Sequence, residues 1–593
     1  MLSRRHLLKR SRLLQKRYRS HIGNHGSLAP LPFPPLEIEP PAEMVDGRVF
    51  TFLNQSLDLG RSITWEPEGV DRLWHYQLHA FGHSLSLGCR FRDQARESDY
   101  RLFRDLVEKW IRACPIASAP AWDPYPTSLR IRNWLRAHAL FAPALLGDTD
   151  FSRRFLDSIY SQARYLEHFV ERHLLGNHLI ENGRALLLAG AFFGDKRARL
   201  WRRKGERILW RELGRQFLAD GGHDERSPMY HQLMLGVYQE SVQTLEGLGE
   251  RVPEGVQEQL DAMSRWLGAL LHPDGQIPLF NDAVFSMTGP PAPLLTDAEP
   301  PSDGLTPLPE TGYFAFRNGN AGDFAVFDCG PLGPDHQPGH GHCDCLSYEI
   351  SVAGHRLIVD SGVGTYYGEQ KWRDYYRSTR AHNTVQVDDE EQSEIWHRFR
   401  VARRAYPDRV QWGSGDGIDW AAGSHTGYRR LPGKVSHRRW FCWLDRRYWL
   451  ICDLLTGSGL HRLKSFLHFH PDVDAPSPTL RGDVFAGKAV RDGTALRLFL
   501  WGGDSVSCSR GEEGELQGWY ATEFNRQLAN SVWTMHRDGK LPIWMAYLMS
   551  PDDEPVSTRF ASTGGTRFQV QVQGDHESHS VVFDGENGGV ICR

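Results

Sequence analysis

The sequence predicts an α+β protein in which a helical half precedes a β half. From about Arg72 to Leu271, apolar residues recur at the spacing of one helix face, in eight or more segments that Gly or Pro mostly separates. From Thr311 onward, short segments alternate apolar and polar residues and end at turn residues, which is typical of strands. A run of helices followed by a run of strands indicates two domains, the first a helical toroid or bundle and the second a β-sandwich.

Composition along the chain indicates where these domains begin and end. A chain of 593 residues is too long for a single hydrophobic core. Residues 1–45 are basic and then Pro-rich, which predicts an extended arm, and residues 284–310 are Pro-rich again, which indicates a linker. We therefore expect an N-terminal arm over 1–45, a helical domain over 46–300 and a β domain over 301–593.

The basic start of the chain contains two leucine pairs, Leu7 with Leu8 and Leu13 with Leu14. These predict a short amphipathic helix, which would either contact a membrane surface or simply be solvated. No continuous apolar run forms an ordinary secretory signal, and no apolar run approaches the length of a membrane span. From the sequence alone we expect a cytoplasmic protein without a transmembrane segment.

The overall composition excludes one class of partner and favours another. A formal net charge of -4 provides no overall attraction to nucleic acid. Nineteen Trp and nineteen Tyr residues are a high aromatic content, and aromatic faces stack on sugar rings as well as filling cores. The nine cysteines are scattered, which indicates free thiols rather than a disulfide framework. Carbohydrate is therefore a natural partner, while the composition says nothing about oligomeric state.

Residues 336–384 carry the strongest chemical pattern in the chain. His340 and His342 form an H-x-H pair in a turn rich in Gly and Pro. Asp360 ends a predicted strand and His382 opens another, so these side chains are expected to converge at strand ends. Two imidazoles and a carboxylate suit zinc, which would be catalytic with an open position or structural with a closed one.

Two other interpretations of this stretch remain open. Histidines in a Gly/Pro-rich loop are often only solvated polar residues. Cys343 and Cys345 lie beside the H-x-H pair and are further candidate ligands, although their alternation with the histidines suits inward packing of a strand.

The helical half also contains candidate polar residues. Asn177 and His178 follow Gly176 at a predicted helix start, where an asparagine is otherwise an ordinary N-cap. Arg130 lies on a predicted helix. In a cleft it would bind a carboxylate or sulfate through two parallel hydrogen bonds, whereas on a helix surface it would only be solvated.

A second helical segment, GGHDERSPMYHQ at residues 221–232, places several polar groups in a loop before a helix. Glu225, Tyr230 and His231 are its main candidates for binding or catalysis. A tyrosine in such a loop is more often a packing residue than an acid, so this segment alone does not decide between the two roles.

Considered together, these segments resemble the heparinase II/III-like polysaccharide lyases. The likeness runs along most of the chain in the same order, and the segments that hold the H-x-H pair, Asp360 and His382 are the most specific. The matching segments are LWHYQLHAFG, YPTSLRIRNWL, GNHLIENGRALLLAG, DGGHDERSPMYH, GHGHCDCLSYEISVAGHRLIVDSGVGTYY and RAHNTVQVD.

The resemblance implies a fold, a catalytic set and a compartment. The fold would be an incomplete (α/α) toroid followed by an antiparallel β-sandwich. Asn177 and His178 match the positions that neutralise the uronate carboxylate, Tyr230 matches the acid/base tyrosine, and His340 matches a second acid/base group. These four residues would then line one cleft between the two domains. Many such lyases are exported, so the resemblance implies a periplasmic location instead of a cytoplasmic one.

The resemblance also implies further binding residues. His342, Asp360 and His382 match zinc ligands, and the zinc is expected to be structural. Additional contacts to the substrate are expected from three residues of the helical half: Arg130, Glu225 and His231.

The implied activity is cleavage of an acidic polysaccharide by β-elimination. The reaction removes the weakly acidic C5 proton of a uronic acid, so the carboxylate beside it must be neutralised and a base and an acid must be supplied. One alternative is a glycan hydrolase with a catalytic zinc, and another is a non-catalytic polysaccharide-binding protein of a surface-glycan pathway. A lyase differs from both because its unsaturated uronate product absorbs in the ultraviolet.

Overall fold

The computed structural model describes residues 16–18, 28–33, 44–60, 62–295, 299–551, 556–562, 565–574 and 578–592. The amphipathic helix predicted around Leu7 and Leu13 lies outside these residues. The chain divides into two compact units. The first comprises 1–216 with 233–260, and the second comprises 217–232 with 261–593. The short segment 217–232 therefore packs with the β-rich part of the chain.

Helices dominate the chain before residue 271, as predicted. A small antiparallel sheet precedes them, with strands Met44–Val45, Val49–Phe52 and Gln55–Asp58. The helices are Arg72–Ala80, His83–Gln94, Glu97–Ala113, Pro124–Leu140, Ala142–Gly147, Thr149–Phe169, Gly176–Phe192, Lys196–Gln216, Pro228–Gly247 and Val256–Leu270.

The helix Glu97–Ala113 shows why this pattern folds as helices. Its buried residues Phe103, Leu106, Val107 and Trp110 recur at intervals of three and four, so they form one apolar stripe while the opposite face is charged. Burial of such stripes against neighbouring helices supplies most of the stability of a helix in a protein.

The helices Gly176–Phe192 and Lys196–Gln216 pack unusually close together. A Cβ atom at Gly190 would lie 2.3 Å from the backbone nitrogen of Arg202, and one at Gly205 would lie 2.5 Å from that of Leu187. Only glycine fits where two helix backbones approach in this way. This contact positions the helix that carries Asn177 and His178.

The second unit consists mainly of antiparallel sheets, and every pairing between its named strands is antiparallel in the described part of the chain. A five-stranded sheet comprises, in spatial order, Gly304–Leu308, Tyr313–Asn318, Asp323–Asp328, Tyr348–Val352 and His355–Ile358. An eight-stranded sheet comprises Pro407–Gly415, Ile418–His425, Ser436–Leu444, Tyr448–Thr456, Ile543–Pro551, Thr494–Trp501, Val484–Arg491 and Thr479–Arg481.

Smaller sheets and short helices complete this unit. One four-stranded sheet comprises Ser505–Arg510, Ser531–Lys540, Leu460–His468 and Val385–Val387, and another comprises Ser557–Ser562, Arg567–Gln573, Ser578–Asp584 and Val590–Cys592. Two hairpins pair Ile395–Trp396 with Arg400–Val401, and Trp519–Glu523 with Arg526–Ala529. The helical segments are Gln370–Arg377 and the short 3₁₀ turns Ala292–Leu295, Thr379–Ala381 and Gly427–Arg430.

The central strands of the eight-stranded sheet are buried on both faces. Along the strand Ser436–Leu444, Phe441 and Trp443 belong to one hydrophobic core, whereas Trp440 and Cys442 belong to a second core. Alternate residues of a strand point to opposite faces, so two cores on one strand require a layer on each side. The five-stranded sheet contributes to the first core and the C-terminal four-stranded sheet contributes to the second.

A tight hairpin at Asp445 and Arg446 joins the strands Ser436–Leu444 and Tyr448–Thr456. Leu444 pairs with Tyr448, and both Asp445 and Arg446 have positive φ angles, of 45° and 54°. Such angles are required by the tight turns whose twist matches that of the flanking strands.

The predicted fold class is confirmed: a helical N-terminal part is followed by antiparallel sheets. One detail of the predicted linker 284–310 is wrong, because Gly304–Leu308 is a strand that pairs with Tyr313–Asn318. Proline tolerates this position because the strand lies at the edge of its sheet. Among the described residues, no helix is long and apolar enough to cross a membrane.

Candidate active site

Tyr230 lies in the first turn of the helix Pro228–Gly247. Its backbone N–H donates to Oγ of Ser227 at 3.3 Å, which is an N-cap arrangement, and Pro228 occupies the first helical position. The Ser227 hydroxyl donates to the backbone carbonyl of Asp282 at 2.6 Å. The local sequence S-P-M-Y therefore places Tyr230 at a helix N-terminus, packed within the second unit.

His340 stacks on Tyr230, with ring centroids 4.2 Å apart and planes inclined by 10°. Nδ1 of His340 lies 2.7 Å from Oε2 of Glu225. Because an ionised carboxylate only accepts hydrogen bonds, this contact keeps a proton on Nδ1 and leaves Nε2 as the reactive nitrogen. Nε2 has no hydrogen-bond partner in the described part of the chain, and 23% of the His340 side chain is exposed. It is therefore available to a substrate.

Tyr366 completes this aromatic group, and sequence reasoning did not identify it. Its hydroxyl lies 3.0 Å from the hydroxyl of Tyr230, and its ring is nearly parallel to that of His340, with centroids 6.1 Å apart. Burial raises the pKa of Tyr366 well above its usual value, so Tyr366 keeps its proton. In the sequence, nothing distinguishes Tyr366 from Tyr367 beside it.

The helix Gln370–Arg377 supports the loop that carries His340. Arg373 donates to the carboxylate of Asp282 at 2.8 Å and to the carbonyl of Gly339 at 3.2 Å, and Arg377 donates to the carbonyl of Gly341 at 3.0 Å. Burial alone would raise the pKa of Asp282, but Arg373 and His342 outweigh it and hold that pKa well below the usual value. The backbone carbonyls of Gly339 and Gly341, on either side of His340, are thus fixed by two arginine side chains.

Near this loop, the structure brings three candidate metal ligands together. Ligand atoms of His342, Asp344 and His382 all lie within 4.8 Å of one another, and all three side chains are buried. Asp360, the predicted third ligand, is not in this cluster, because its Oδ2 lies 2.8 Å from Nδ1 of His382. Asp360 is thus placed to orient His382. Asp344 follows His342 by two residues, a spacing that could have identified it.

The unpartnered atoms of this cluster fit a cation. Nδ1 of His342 and Nε2 of His382 are buried and have no hydrogen-bond partner in the described part of the chain. Burial and the nearby carboxylate of Asp360 raise the pKa of Asp344 to about 6. Two free imidazole nitrogens beside buried carboxylates are a donor set that zinc accepts. Cys343 and Cys345 are buried as well, but neither belongs to the cluster.

In the helical unit, Asn177 and His178 lie in the first turn of the helix Gly176–Phe192. The His178 ring stacks on Tyr125 at 4.2 Å, and its Nδ1 lies 3.1 Å from Oε1 of Glu171, while its Nε2 has no hydrogen-bond partner among the described residues. Asn177 is only 5% exposed, whereas the His178 side chain is 29% exposed. The exposure of His178 suits binding of an external carboxylate, and for the mostly buried Asn177 such binding stays a prediction. That both residues face the same sugar as Tyr230 and His340 stays a prediction.

Two of the three predicted substrate contacts, Arg130 and His231, are buried inside the protein. Arg130 is wholly buried, donates to the carbonyls of His79 and Ala121 at 2.8 and 2.9 Å, and stacks on Trp110. His231 is also wholly buried, and its Nε2 lies 2.9 Å from the carbonyl of Met263. These positions argue against contact with a polysaccharide.

Glu225 differs from the other two because it belongs to the site. Its side chain is 5% exposed and its carboxylate bonds to His340 at 2.7 Å. Direct binding of an anionic sugar by a buried carboxylate would be repulsive, so the structure supports a role in orienting His340 rather than the predicted contact with substrate.

Family models match both parts of the chain. The model described as the heparinase II/III N-terminus matches residues 42–288, and the model described as heparinase II/III-like, C-terminal, matches residues 300–569. The two matches together span most of the sequence, and they divide it where the helices give way to strands.

Characterised proteins show the same similarity. The chain is 25% identical to a heparin-sulfate lyase of Pedobacter heparinus, over 79% of this chain and 73% of that one. It is 23% identical to a heparin-sulfate lyase of Bacteroides stercoris, over 88% and 84%. A solved structure titled heparinase III superposes with a TM-score of 0.76 at 18% identity, covering 97% of this chain and 95% of that chain. The last similarity establishes a shared fold.

Proposed function

The chain belongs to the heparinase II/III-like family, and from this premise we propose that it is a polysaccharide lyase that cleaves a uronic-acid-containing polysaccharide by β-elimination. The observation that carries the proposal is the stacked pair of Tyr230 and His340. It places two proton-transferring groups side by side, which is what an elimination needs.

The first requirement of the reaction is to stabilise charge on the uronate. Loss of the C5 proton moves negative charge onto the neighbouring carboxylate, and hydrogen-bond donors placed there lower the energy of the transition state. The side-chain amide of Asn177 is a donor of this kind. His178 becomes a second donor in its protonated form, in which Nδ1 donates to Glu171 and Nε2 is left to donate to the uronate. Their role in this chain is to bind that carboxylate.

The second requirement is proton transfer. Tyr230 in its ionised form removes the C5 proton, and the hydroxyl of Tyr366 stabilises this form by donating to the Tyr230 oxygen. The same Tyr230 hydroxyl, which now carries the C5 proton, then protonates the departing O4 oxygen. In the alternative order, Nε2 of His340 removes the C5 proton and the neutral Tyr230 hydroxyl protonates O4. Glu225 suits His340 to this role as base, because it holds the ring proton on Nδ1 and leaves a lone pair on Nε2. The bond between C4 and its oxygen breaks as the C4–C5 double bond forms, without a nucleophile or water.

The names of the relatives indicate which substrate to test first. Both relatives described above are named heparin-sulfate lyases, so a sulfated glycosaminoglycan that contains uronic acid is the proposed substrate class.

We also propose a structural zinc in the cluster near His340. Nδ1 of His342, Nε2 of His382 and a carboxylate oxygen of Asp344 would hold it, with Asp360 orienting His382. The ion would neutralise the buried carboxylates and stabilise the loop that carries His340. The proton transfers described above do not involve it.

The proposed activity is tested by incubating the protein with a panel of uronate-containing polysaccharides and following ultraviolet absorbance of the unsaturated product. Tyr230→Phe removes the hydroxyl but keeps the ring, so it should lower turnover by about 10²–10⁴-fold with little change in folding. Tyr428→Phe is the matched control, since Tyr428 is a buried tyrosine whose hydroxyl donates to the carbonyl of Val385 at 2.9 Å. It should keep the parent turnover.

Two results would contradict the proposal. Release of new reducing ends without ultraviolet absorbance would indicate a hydrolase. Undiminished elimination by Tyr230→Phe would show that Tyr230 does not transfer the proton.

A further inference from the structure

A short hairpin, residues 395–401, lies beside the candidate active site, and we call it the Trp396 hairpin. Ile395 pairs with Val401 and Trp396 pairs with Arg400. Because cross-strand partners lie on the same face, Trp396 and Arg400 project together. The tip between these pairs consists of His397, Arg398 and Phe399.

The tip of the hairpin packs against the candidate catalytic residues. The ring of Phe399 lies 6.1 Å from that of His340 and 5.5 Å from that of Tyr366, centroid to centroid. The buried Arg373 donates from Nε to the carbonyl of Arg398 at 2.9 Å. Arg373 also supports the loop that carries His340, so the hairpin and His340 are held by the same group.

Whereas the tip of the hairpin packs against the candidate active site, its two strands carry an exposed aromatic ring and an exposed charge. Trp396 is 53% exposed, more than any other tryptophan in the described part of the chain, and the guanidinium of Arg400 lies 5.2 Å from the centre of its ring. Arg400 is exposed and has no carboxylate partner among the described residues. Arg398 contacts the carbonyls of Tyr366 and Gly368, so it too carries a charge that no described carboxylate balances.

The neighbouring arginines do not share this property. Arg403 lies 2.8 Å from the carboxylate of Glu394, and Arg404 lies 3.0 Å from that of Asp335. Charge balance is therefore completed at the base of the hairpin and left incomplete at its exposed end. An exposed tryptophan and an unbalanced arginine on a fixed hairpin suit a ligand that is both flat-faced and anionic.

We propose that the Trp396 hairpin is a binding subsite for an acidic sugar of the polysaccharide, next to the sugar that is cleaved. One face of the pyranose ring packs on the indole of Trp396, and the Arg400 guanidinium binds its carboxylate or sulfate through charge-assisted hydrogen bonds. This inference rests on the proposed function and identifies residues that select longer, acidic substrates.

The position of the hairpin makes the subsite a neighbour of the reacting centre. Arg400 directly follows Phe399, so their Cα atoms are about 3.8 Å apart, and Phe399 contacts His340. A sugar held there is bound in both the ground state and the transition state, because no bond in it changes. Such uniform binding affects KM more than kcat.

The test separates binding from catalysis. In a Tyr230→Phe background, which leaves the ligand uncleaved, affinity for heparan sulfate oligosaccharides of defined length is measured by calorimetry. Trp396→Ala and Arg400→Gln should each weaken binding of long oligosaccharides by about tenfold, the equivalent of about 1.4 kcal/mol. The Arg400→Gln effect should shrink as salt is raised. Oligosaccharides too short to reach the hairpin should bind both variants like the parent.

Two control variants match the tested residues. Trp412→Ala removes the other exposed tryptophan, which packs on Phe314, and Arg559→Gln removes an exposed arginine of the strand Ser557–Ser562. Both should bind like the parent. In the protein with Tyr230 intact, Trp396→Ala and Arg400→Gln should raise KM on long substrates. The change in kcat should stay below about threefold, which corresponds to roughly 0.5 kcal/mol in activation free energy.

Failure of the subsite and failure of the proposed function give different results. If the parent cleaves long substrates and both hairpin variants keep its KM and affinity, the subsite is wrong and the lyase stands. If the parent yields no ultraviolet-absorbing product from any polysaccharide, the lyase is wrong, and the affinity measurements still decide whether the hairpin binds acidic sugars. Equal weakening by the control variants would also overturn the subsite.

Discussion

In the proposed reaction, His340 and Glu225 form a pair in which His340 transfers a proton and Glu225 orients the His340 ring. The buried carboxylate of Glu225 lies 2.7 Å from Nδ1 of His340, and the Tyr230 ring stacks on one face of the imidazole. A carboxylate in this place selects the tautomer with the proton on Nδ1. The two hydroxyls of Tyr230 and Tyr366 make a comparable pair, in which Tyr366 is the permanent donor.

At this scale we expect Glu225→Gln to lower kcat without unfolding the protein. The amide keeps the size of the side chain but accepts only through its oxygen and carries no charge. Turnover should fall by at least about tenfold, and by less than the roughly 10²–10⁴-fold that a complete acid–base group supplies. KM should change little, because Glu225 is placed against His340 and away from substrate. Steady-state kinetics and a melting curve measure both effects.

The control for this variant is Glu212→Gln, a buried glutamate of the helix Lys196–Gln216 that contacts Gln216. It should leave kcat unchanged. If Glu225→Gln keeps full kcat, the carboxylate does not orient His340 for catalysis.

At the scale of elements, the loop that carries His340 depends on contacts from several segments. The helix Gln370–Arg377 bonds to its carbonyls, and Asp282 receives both Arg373 and Nε2 of His342. On the other side of His342, the cluster with Asp344 and His382 leaves two imidazole nitrogens without partners. A cation is the group that would connect these segments.

We therefore expect removal of metal to destabilise the protein through this cluster. Zinc bound only to the folded state adds about 2.7 kcal/mol of stability when free zinc is 100 times its Kd. A chelator should lower the melting temperature of the parent and, more weakly, its activity. His382→Ala should start from a lower melting temperature and show no further chelator effect.

Metal analysis by mass spectrometry should find zinc in the parent and much less in His382→Ala. His461→Ala is the matched control, because His461 pairs with Asp388 at 2.7 Å, apart from the cluster, and should keep the chelator effect. If the chelator leaves the melting temperature of the parent unchanged, a stabilising metal is excluded.

At the scale of the whole molecule, histidines in the interior make stability sensitive to acid. Burial lowers the pKa of His79, His83, His231 and His468 from 6.5 to about 3 in each case. The folded protein keeps these rings neutral, whereas the unfolded chain takes up protons below about pH 6.5. The free energy of unfolding is therefore not reduced by these histidines above that pH, and it decreases as the pH falls from about 6.5 toward 3.

Each such histidine lowers the free energy of unfolding by about 1.4 kcal/mol per pH unit once it titrates in the unfolded chain, so the four together lower it by about 5.5 kcal/mol per pH unit. Urea unfolding at several pH values between 7.5 and 5 measures this slope. His83→Phe should reduce the slope by one proton, because neither ring nitrogen of His83 has a hydrogen-bond partner among the described residues. A midpoint independent of pH across this range would contradict the prediction.

The sequence by itself determined the order of helices and strands and most members of the site. Helical and alternating periodicity are local, so the helix Glu97–Ala113 and the hairpin at Asp445 could be predicted from neighbouring residues alone. Tyr230 and His340 were identified because they lie in specific motifs that resemble a known family. A motif survives in the linear order of residues, and no contact is needed to recognise it.

Only the tertiary structure decided what those residues touch. Arg130 and His231 were predicted at the substrate, but both are buried, and burial depends on segments distant in sequence. Glu225 reaches His340 across 115 positions, and Tyr230 reaches Tyr366 across 136. Such pairs are selected by the packing of whole elements, which local periodicity does not encode. For the same physical reason, the strand pattern suggested Asp360 as the third ligand of the candidate metal cluster, whereas the packed structure places Asp344 there and Asp360 against His382.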